Sequence, residues 1–166
     1  ALVPRSEVQL YFLADNASDG SPGVVRTGGR GNSPRDIYTV GTRFQTLPGR
    51  LQGWDLNGEF ACQFGNYEYL AGTPGVVSGT RLDHLAWATH LEGGYTFTKL
   101  DLRPRFALGC DYGSGDDDPS DRDHNTFVNL YPTNHKFYGA MDFFSWQNMI
   151  VPYFKACVVP AKGVSP

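Results

Sequence analysis

Three sets of side chains in this sequence have types and spacings that could do chemistry: an acidic run, the histidines and a group of arginines. The acidic run is Gly115-Asp116-Asp117-Asp118-Pro119-Ser120-Asp121-Arg122-Asp123. Oxygen ligands at such short spacing suit a hard cation, so Asp116, Asp117, Asp118, Asp121 and Asp123 are a calcium candidate. The run lacks the sixth-position glycine and terminal glutamate of an EF-hand loop. A solvated loop tip is the plainer reading, and no metal is expected. His84 and His90 alternate onto one strand face about 20 Å apart, too far to share a metal. His124 and His135 lie in a loop with no partner at ligand spacing. Arg43, Arg103 and Arg105 alternate onto the polar faces of strand-like runs, with Arg81 at a strand end. Guanidinium groups stay charged and offer forked donors to carboxylates, so these four are candidate anion-binding residues of a water-filled lumen. The alternative is structural pairing with Glu59, Asp55, Asp101 and Glu92 across neighbouring strands.

Composition removes several classes. The chain has 166 residues, enough for one domain, with net charge −3 and a pI near 5.7, which argues against nucleic-acid binding. Gly 20 and Pro 11 break the chain so often that Arg5 to Asp19 is the longest stretch free of both, which leaves no room for a helix bundle. A mean hydropathy of −0.35 and the lack of any long apolar run exclude a transmembrane helix but not a membrane barrel. Cys62, Cys110 and Cys157 show no CxxC spacing and read as inert packing residues in strands. No GxSxG, HExxH, P-loop or GxGxxG is present, so neither an enzyme nor a bound cofactor is expected. Leu2-Val3-Pro4-Arg5-Ser6 resembles a protease-site remnant, so residues 1–6 read as a tag or linker and 7–166 as one domain.

The elements that must position these groups are strands. Apolar and polar residues alternate with period two over 7–14, 36–46, 54–65 and 100–112. In the third run Trp54, Leu56, Phe60, Cys62 and Phe64 oppose Asp55, Asn57, Glu59 and Gln63. In the fourth, Leu100, Leu102, Phe106, Leu108, Cys110 and Tyr112 oppose Asp101, Arg103, Arg105 and Asp111. Residues 80–92 fit a strand, but Thr80 followed by Asp83 also fits a helix start, with Gly93-Gly94 as its stop. Phe137 to Gln147 is ambiguous, and 153–159 reads as a short final strand.

The connections alternate in length. Long ones at 16–34, 66–79 and 113–136 interleave with short ones at 47–53, 95–99 and 148–152. Long loops at one end and short turns at the other are the habit of outer-membrane barrels. Most runs also exceed the usual five or six residues of soluble strands and suit a tilted crossing of roughly ten. Period two is common to a soluble barrel and to a membrane barrel with a polar inside; loop order and strand length favour the latter. The soluble alternative is a carbohydrate-binding module, with Tyr67, Tyr69 and Tyr131 stacking on sugar.

Ser114-Gly115-Asp116-Asp117-Asp118-Pro119, then Asn125-Thr126-Phe127-Val128-Asn129-Leu130-Tyr131-Pro132-Thr133-Asn134-His135, then Gly139 and Asp142, resemble the alginate-export family of outer-membrane porins. The family's pattern is an S-G-D-D turn, an N-T-F-x-x-L-Y/F-P-T-x-H stretch and G-x-x-D. The looser likeness spans about residues 7 to 160. The resemblance implies an antiparallel up-and-down transmembrane β-barrel in the outer membrane of a Gram-negative bacterium, with lipid and lipopolysaccharide around it. It implies passage of alginate-like polysaccharide or small anions through an arginine-containing lumen, and it makes 80–95 a strand. Seven or eight strands are readable, fewer than the family's barrel needs, so the chain reads as its C-terminal portion. Asp55, Glu59, Glu92, Asp101 and Asp111 share the polar faces with the arginines, a departure from a purely arginine-lined lumen.

Overall fold

The computed structural model describes residues 6–17, 34–48, 51–68, 81–118, 120–130 and 145–158. They form seven strands: β1 (Ser6–Ala17), β2 (Arg35–Thr46), β3 (Trp54–Glu68), β4 (Arg81–Thr96), β5 (Arg105–Gly113), β6 (Asp123–His124) and β7 (Met149–Cys157). Six of them lie side by side and antiparallel in the order β1-β2-β3-β4-β5-β7. The two-residue β6 lies off this path, parallel to β4. This is the all-β, up-and-down arrangement expected from the alternation. Among the described residues the sheet is open, with β1 and β7 at its edges.

The segment with competing helix and strand signals is β4. Every residue of β3 is in register with it, from Trp54↔Tyr95 to Glu68↔Arg81. A ladder of that length satisfies each backbone group and outweighs a local capping signal worth about 1 kcal/mol. The connections 18–34, 69–80 and 114–148 leave one end of the sheet, and 47–53 and 97–104 leave the other, as the antiparallel order requires.

β1, β3 and β4 run three or four residues past the ends expected at 14, 65 and 92, and two strand starts also differ from the sequence reading. Leu100, Asp101, Leu102 and Arg103 belong to the turn before β5, not to the strand. Leu102 and Arg103 have φ of 64° and 41°, and bonds from the Leu100 N–H to Phe97 O and the Arg103 N–H to Leu100 O close successive turns. The left-handed backbone breaks the alternation that residue types alone continue. At the other end β7 begins at Met149, so residues 149–152 of the short turn expected at 148–152 are strand. Pro152 is accommodated because β7 is an edge strand. Residues 137–144 of the ambiguous Phe137–Gln147 segment, and Tyr69, Tyr131 and His135, lie outside the described residues.

The two faces of the sheet invert the usual distribution. One carries Trp54, Leu56, Phe60, Phe64, Leu85, Leu91, Phe106, Leu108, Ile150 and Phe154, all exposed, with Leu108 70% accessible. The other buries Thr39, Asp55, Gln63, His84, Glu92 and Asp111. A soluble sheet of this strand order would bury the first set. The polar face is not wholly polar, since Ile37, Leu82 and the alanines Ala61, Ala86, Ala88 and Ala107 are buried with the ionisable groups.

Aromatic rings on the apolar face are arranged in two rows. Near the short turns, Trp54 packs on Tyr95, Tyr95 on Phe97, Phe97 on Phe106 and Phe106 on Phe154, at centroid distances of 5.0, 4.9, 6.1 and 6.0 Å. Nearer the long loops, Phe12, Tyr38 and Phe64 form one chain, and Phe60, Trp87 and Tyr112 another. Leu91 on β4 and Leu108 on β5 lie between the rows. Along β4, Tyr95 and Trp87 are separated by about 27 Å at ~3.4 Å per residue. A strand tilt of about 40° reduces this to about 20 Å of height, close to the apolar band of a membrane barrel.

Candidate functional site

The polar face presents three groups of side chains. Near the short turns, Arg105 of β5 is held by two carboxylates. Its Nε donates to Asp55 Oδ2 at 3.0 Å, a second bond joins Nη2 to Asp55 Oδ1, and Nη2 also reaches Glu92 Oε1 at 2.9 Å. The other Glu92 oxygen accepts from Lys155 Nζ at 2.6 Å and from the Tyr153 hydroxyl at 3.0 Å. The guanidinium lies directly over Gly94, where any Cβ would collide with it. The cluster ties β3, β4, β5 and β7 together, and its charges satisfy one another.

On β2, Arg43 is less committed. Nη2 donates to Gln45 Oε1 at 2.7 Å, while Nε stands 4.0 Å from Glu59, whose other oxygen accepts from the Tyr11 hydroxyl at 2.8 Å. More than a third of the Arg43 side chain is solvent-accessible. Across the same face, His90 Nδ1 lies 2.6 Å from Asp111 Oδ1, and its Nε2 is 3.3 Å from Asn57 Nδ2. His84 and His90 are thus held by separate partners.

The third group is at the long-loop end, where the connection after β5 folds back onto the polar face. Ser114 continues the β5–β4 ladder, its N–H donating to Trp87 O at 2.9 Å while its Oγ accepts the Trp87 N–H at 3.0 Å. That hydroxyl donates onward to Asn125 O at 2.7 Å, and Ser114 O accepts the N–H groups of Phe127 and Asn148. Gly113 is required here because a Cβ would sit 2.8 Å from Trp146 O. The Gln63 side chain then bonds both backbone groups of Val128, accepting its N–H at 2.8 Å and donating to its O at 2.8 Å. His124 stacks on Tyr67 at 4.0 Å between centroids, and its Nδ1 lies 2.9 Å from that of His84. Burial holds His124 down to a pKa of about 4.

The expected site residues are therefore dispersed. Arg43 and Arg105 lie on the polar face. Arg81 is exposed at the long-loop end, in phase with the outward Leu85, and pairs with Asp36 at 3.2 Å. Arg103 is exposed in the turn before β5. Arg35, paired with Asp15 at 2.6 Å, was not singled out in the sequence; it borders a cleft of about 510 Å³ with Asp36, Tyr67, Glu68 and Arg81. In the acidic run, the side chains of Asp116, Asp118 and Asp121 each accept the backbone N–H two residues on, and the bonds from Ser120 hold Asp118 below the usual carboxylate range. Among the described residues no three histidine, cysteine or carboxylate groups are placed to hold a metal. His124, expected to be without a partner, meets His84 because the loop turns inward, a contact that no local spacing signals. Cys62, Cys110 and Cys157 are free thiols, the last two exposed.

Comparison with family models decides what kind of protein has this inverted sheet. The alginate-export model matches residues 3–165. The chain belongs to the alginate-export family. That family comprises outer-membrane export proteins of Gram-negative bacteria, β-barrels that transport polysaccharide. Comparisons with curated proteins and with solved structures give no match.

Proposed function

We propose that this chain forms wall and loop of an outer-membrane conduit that passes anionic polysaccharide of the alginate type, or small anionic solutes. The observation that carries this reading is the inversion of the sheet: ionisable groups buried on one face, aliphatic and aromatic side chains exposed on the other between two aromatic rows. Exposed apolar area of this extent is unfavourable in water and favourable in lipid. A carbohydrate-binding module that works in solution would show the reverse.

Within the conduit, Arg43 is the arginine proposed to meet the passing anion. Its nearest carboxylate is 4.0 Å away and shared with Tyr11, so it can exchange partners with a uronate at little cost. Arg105 contributes differently: two carboxylates already occupy its fork, and its role is to fix the wall. Arg81 and Arg103, at opposite ends of the sheet, would add positive potential at the two mouths. Glu59 beside Arg43 keeps the site weak, which conduction requires.

The test is ion selectivity in planar bilayers. The wild-type protein should favour chloride over potassium, and Arg43→Glu should shift the reversal potential toward cations more than Arg105→Gln does. Equal shifts, or none, would contradict the role given to Arg43. A protein that remains monomeric in detergent-free buffer at high concentration would contradict the conduit itself.

A further inference from the structure

We propose that the segment Asp123–Val128 is an inward-folded constriction of the conduit, and that Gln63 is the positioning residue that latches it to the wall. The proposal rests on the channel reading above and adds to it a movable part.

The geometry at Gln63 is that of a strand neighbour made from a side chain. Its amide offers one acceptor and one donor to the N–H and C=O of Val128, both at 2.8 Å, which is what a paired strand residue would offer. Gln63 is fully buried, and its Nε2 also lies 3.3 Å from Thr39 Oγ1 on β2. A buried primary amide is costly unless its groups are bonded, so Gln63 favours the docked loop over an empty wall. The segment is fastened at two further points. The Asp83 N–H donates to Arg122 O at 2.9 Å, which starts the short parallel pairing of β6 with β4. At the far side, Ser114 holds Asn125 and Phe127.

The latch differs from the wall in its chemistry. Neighbouring wall strands are joined by continuous ladders, whereas Asp123–Val128 is fastened by a two-residue bridge, the Phe127 backbone bond to Ser114 and side-chain bonds from the neutral groups of Gln63, Ser114 and Thr126. Such an attachment is strong enough to order a loop and weak enough to open without disturbing the barrel. Asn125-Thr126-Phe127, the start of the stretch that carries the family resemblance, thereby acquires a physical role in fastening the loop. Asn125 O and the Phe127 N–H bond to Ser114, and Thr126 Oγ1 accepts the Asp116 N–H at 3.1 Å.

The test uses the full-length protein and two variants, Gln63→Ala in the wall and Val128→Pro in the loop. The second removes the N–H that Gln63 accepts and leaves every wall residue unchanged, so it stands alone if Gln63→Ala does not fold. Single-channel conductance in potassium chloride and the rate of trypsin cleavage after Arg122 are measured on each. Both variants should raise conductance severalfold and accelerate cleavage. Unchanged cleavage would overturn the latch, and faster cleavage with unchanged conductance would overturn the constriction. Wild-type protein that forms no channels would instead sink the conduit reading, while the cleavage rates would still report on the latch.

Discussion

The two ends of the polar face are built from different materials. Near the short turns, Arg105, Asp55, Glu92, Lys155 and Tyr153 form a charged cluster that spans four strands. Near the long loops, Gln63, itself bonded to Thr39, holds Val128, and His84 meets His124 of the same folded-back segment. A charged cluster is hard to open, because removing any member strands a charge away from water. A neutral one can be exchanged for water at modest cost. The fixed wall and the movable loop proposed above would then differ in whether their partners carry charge.

The largest effect is expected at the charged end. Arg105→Ala leaves Asp55 and Glu92 facing each other with only Lys155 and Tyr153 in reach, and should destabilise the folded protein by about 3–5 kcal/mol. Urea unfolding in lipid vesicles measures this directly. An effect below about 1 kcal/mol, the range of an exposed pair, would show that the cluster is well hydrated and that the contrast between the ends is false.

A smaller and reversible effect is expected at the neutral end as pH falls. His124 has a pKa of about 4 when docked, against about 6.5 for a histidine in water. The released segment therefore binds the extra proton between these values, and docking is full above pH 6.5 and weakens as pH falls toward 4. The groups facing His124 are His84 from β4, 2.9 Å away, and Tyr67 from β3; Asp83 and Asp123 are exposed nearby. Two neutral rings can match an N–H to a bare nitrogen, whereas two protonated rings set donor against donor. Conductance should rise on acidification in the wild type and stay flatter in His124→Gln. Parallel pH profiles would remove the histidine pair from the latch.

Much of this was readable in the sequence, for reasons that also explain the errors. Trp54 to Gly65 showed its two faces because alternation survives whichever face is buried, and the order of long and short connections separated a polar inside from an apolar one. The family stretch at Asn125-Thr126-Phe127 was recognisable, although its place against the wall was not. Leu100 and Leu102 extended the alternation into a turn because a positive φ leaves no mark on residue type. Pro152 resembled a turn residue and is instead part of an edge strand. Arg105 was recognised as either a lumen cation or a paired one. The choice depended on whether Asp55 and Glu92 came within reach, and that is set by the register of three strands.

The apolar face is expected to meet lipid while the polar face does not, and two tryptophans report on it. Trp87 lies on the apolar face of β4, stacked on Tyr112 at 4.2 Å between centroids. Trp146 lies on the other side, its ring 6.4 Å from that of His90. Single-tryptophan variants that retain one or the other would be reconstituted into vesicles whose acyl chains carry bromine, a contact quencher. Strong quenching of Trp87 with Trp146 nearly unaffected is the expected result. Quenching of Trp146 alone, or of neither, would contradict the account.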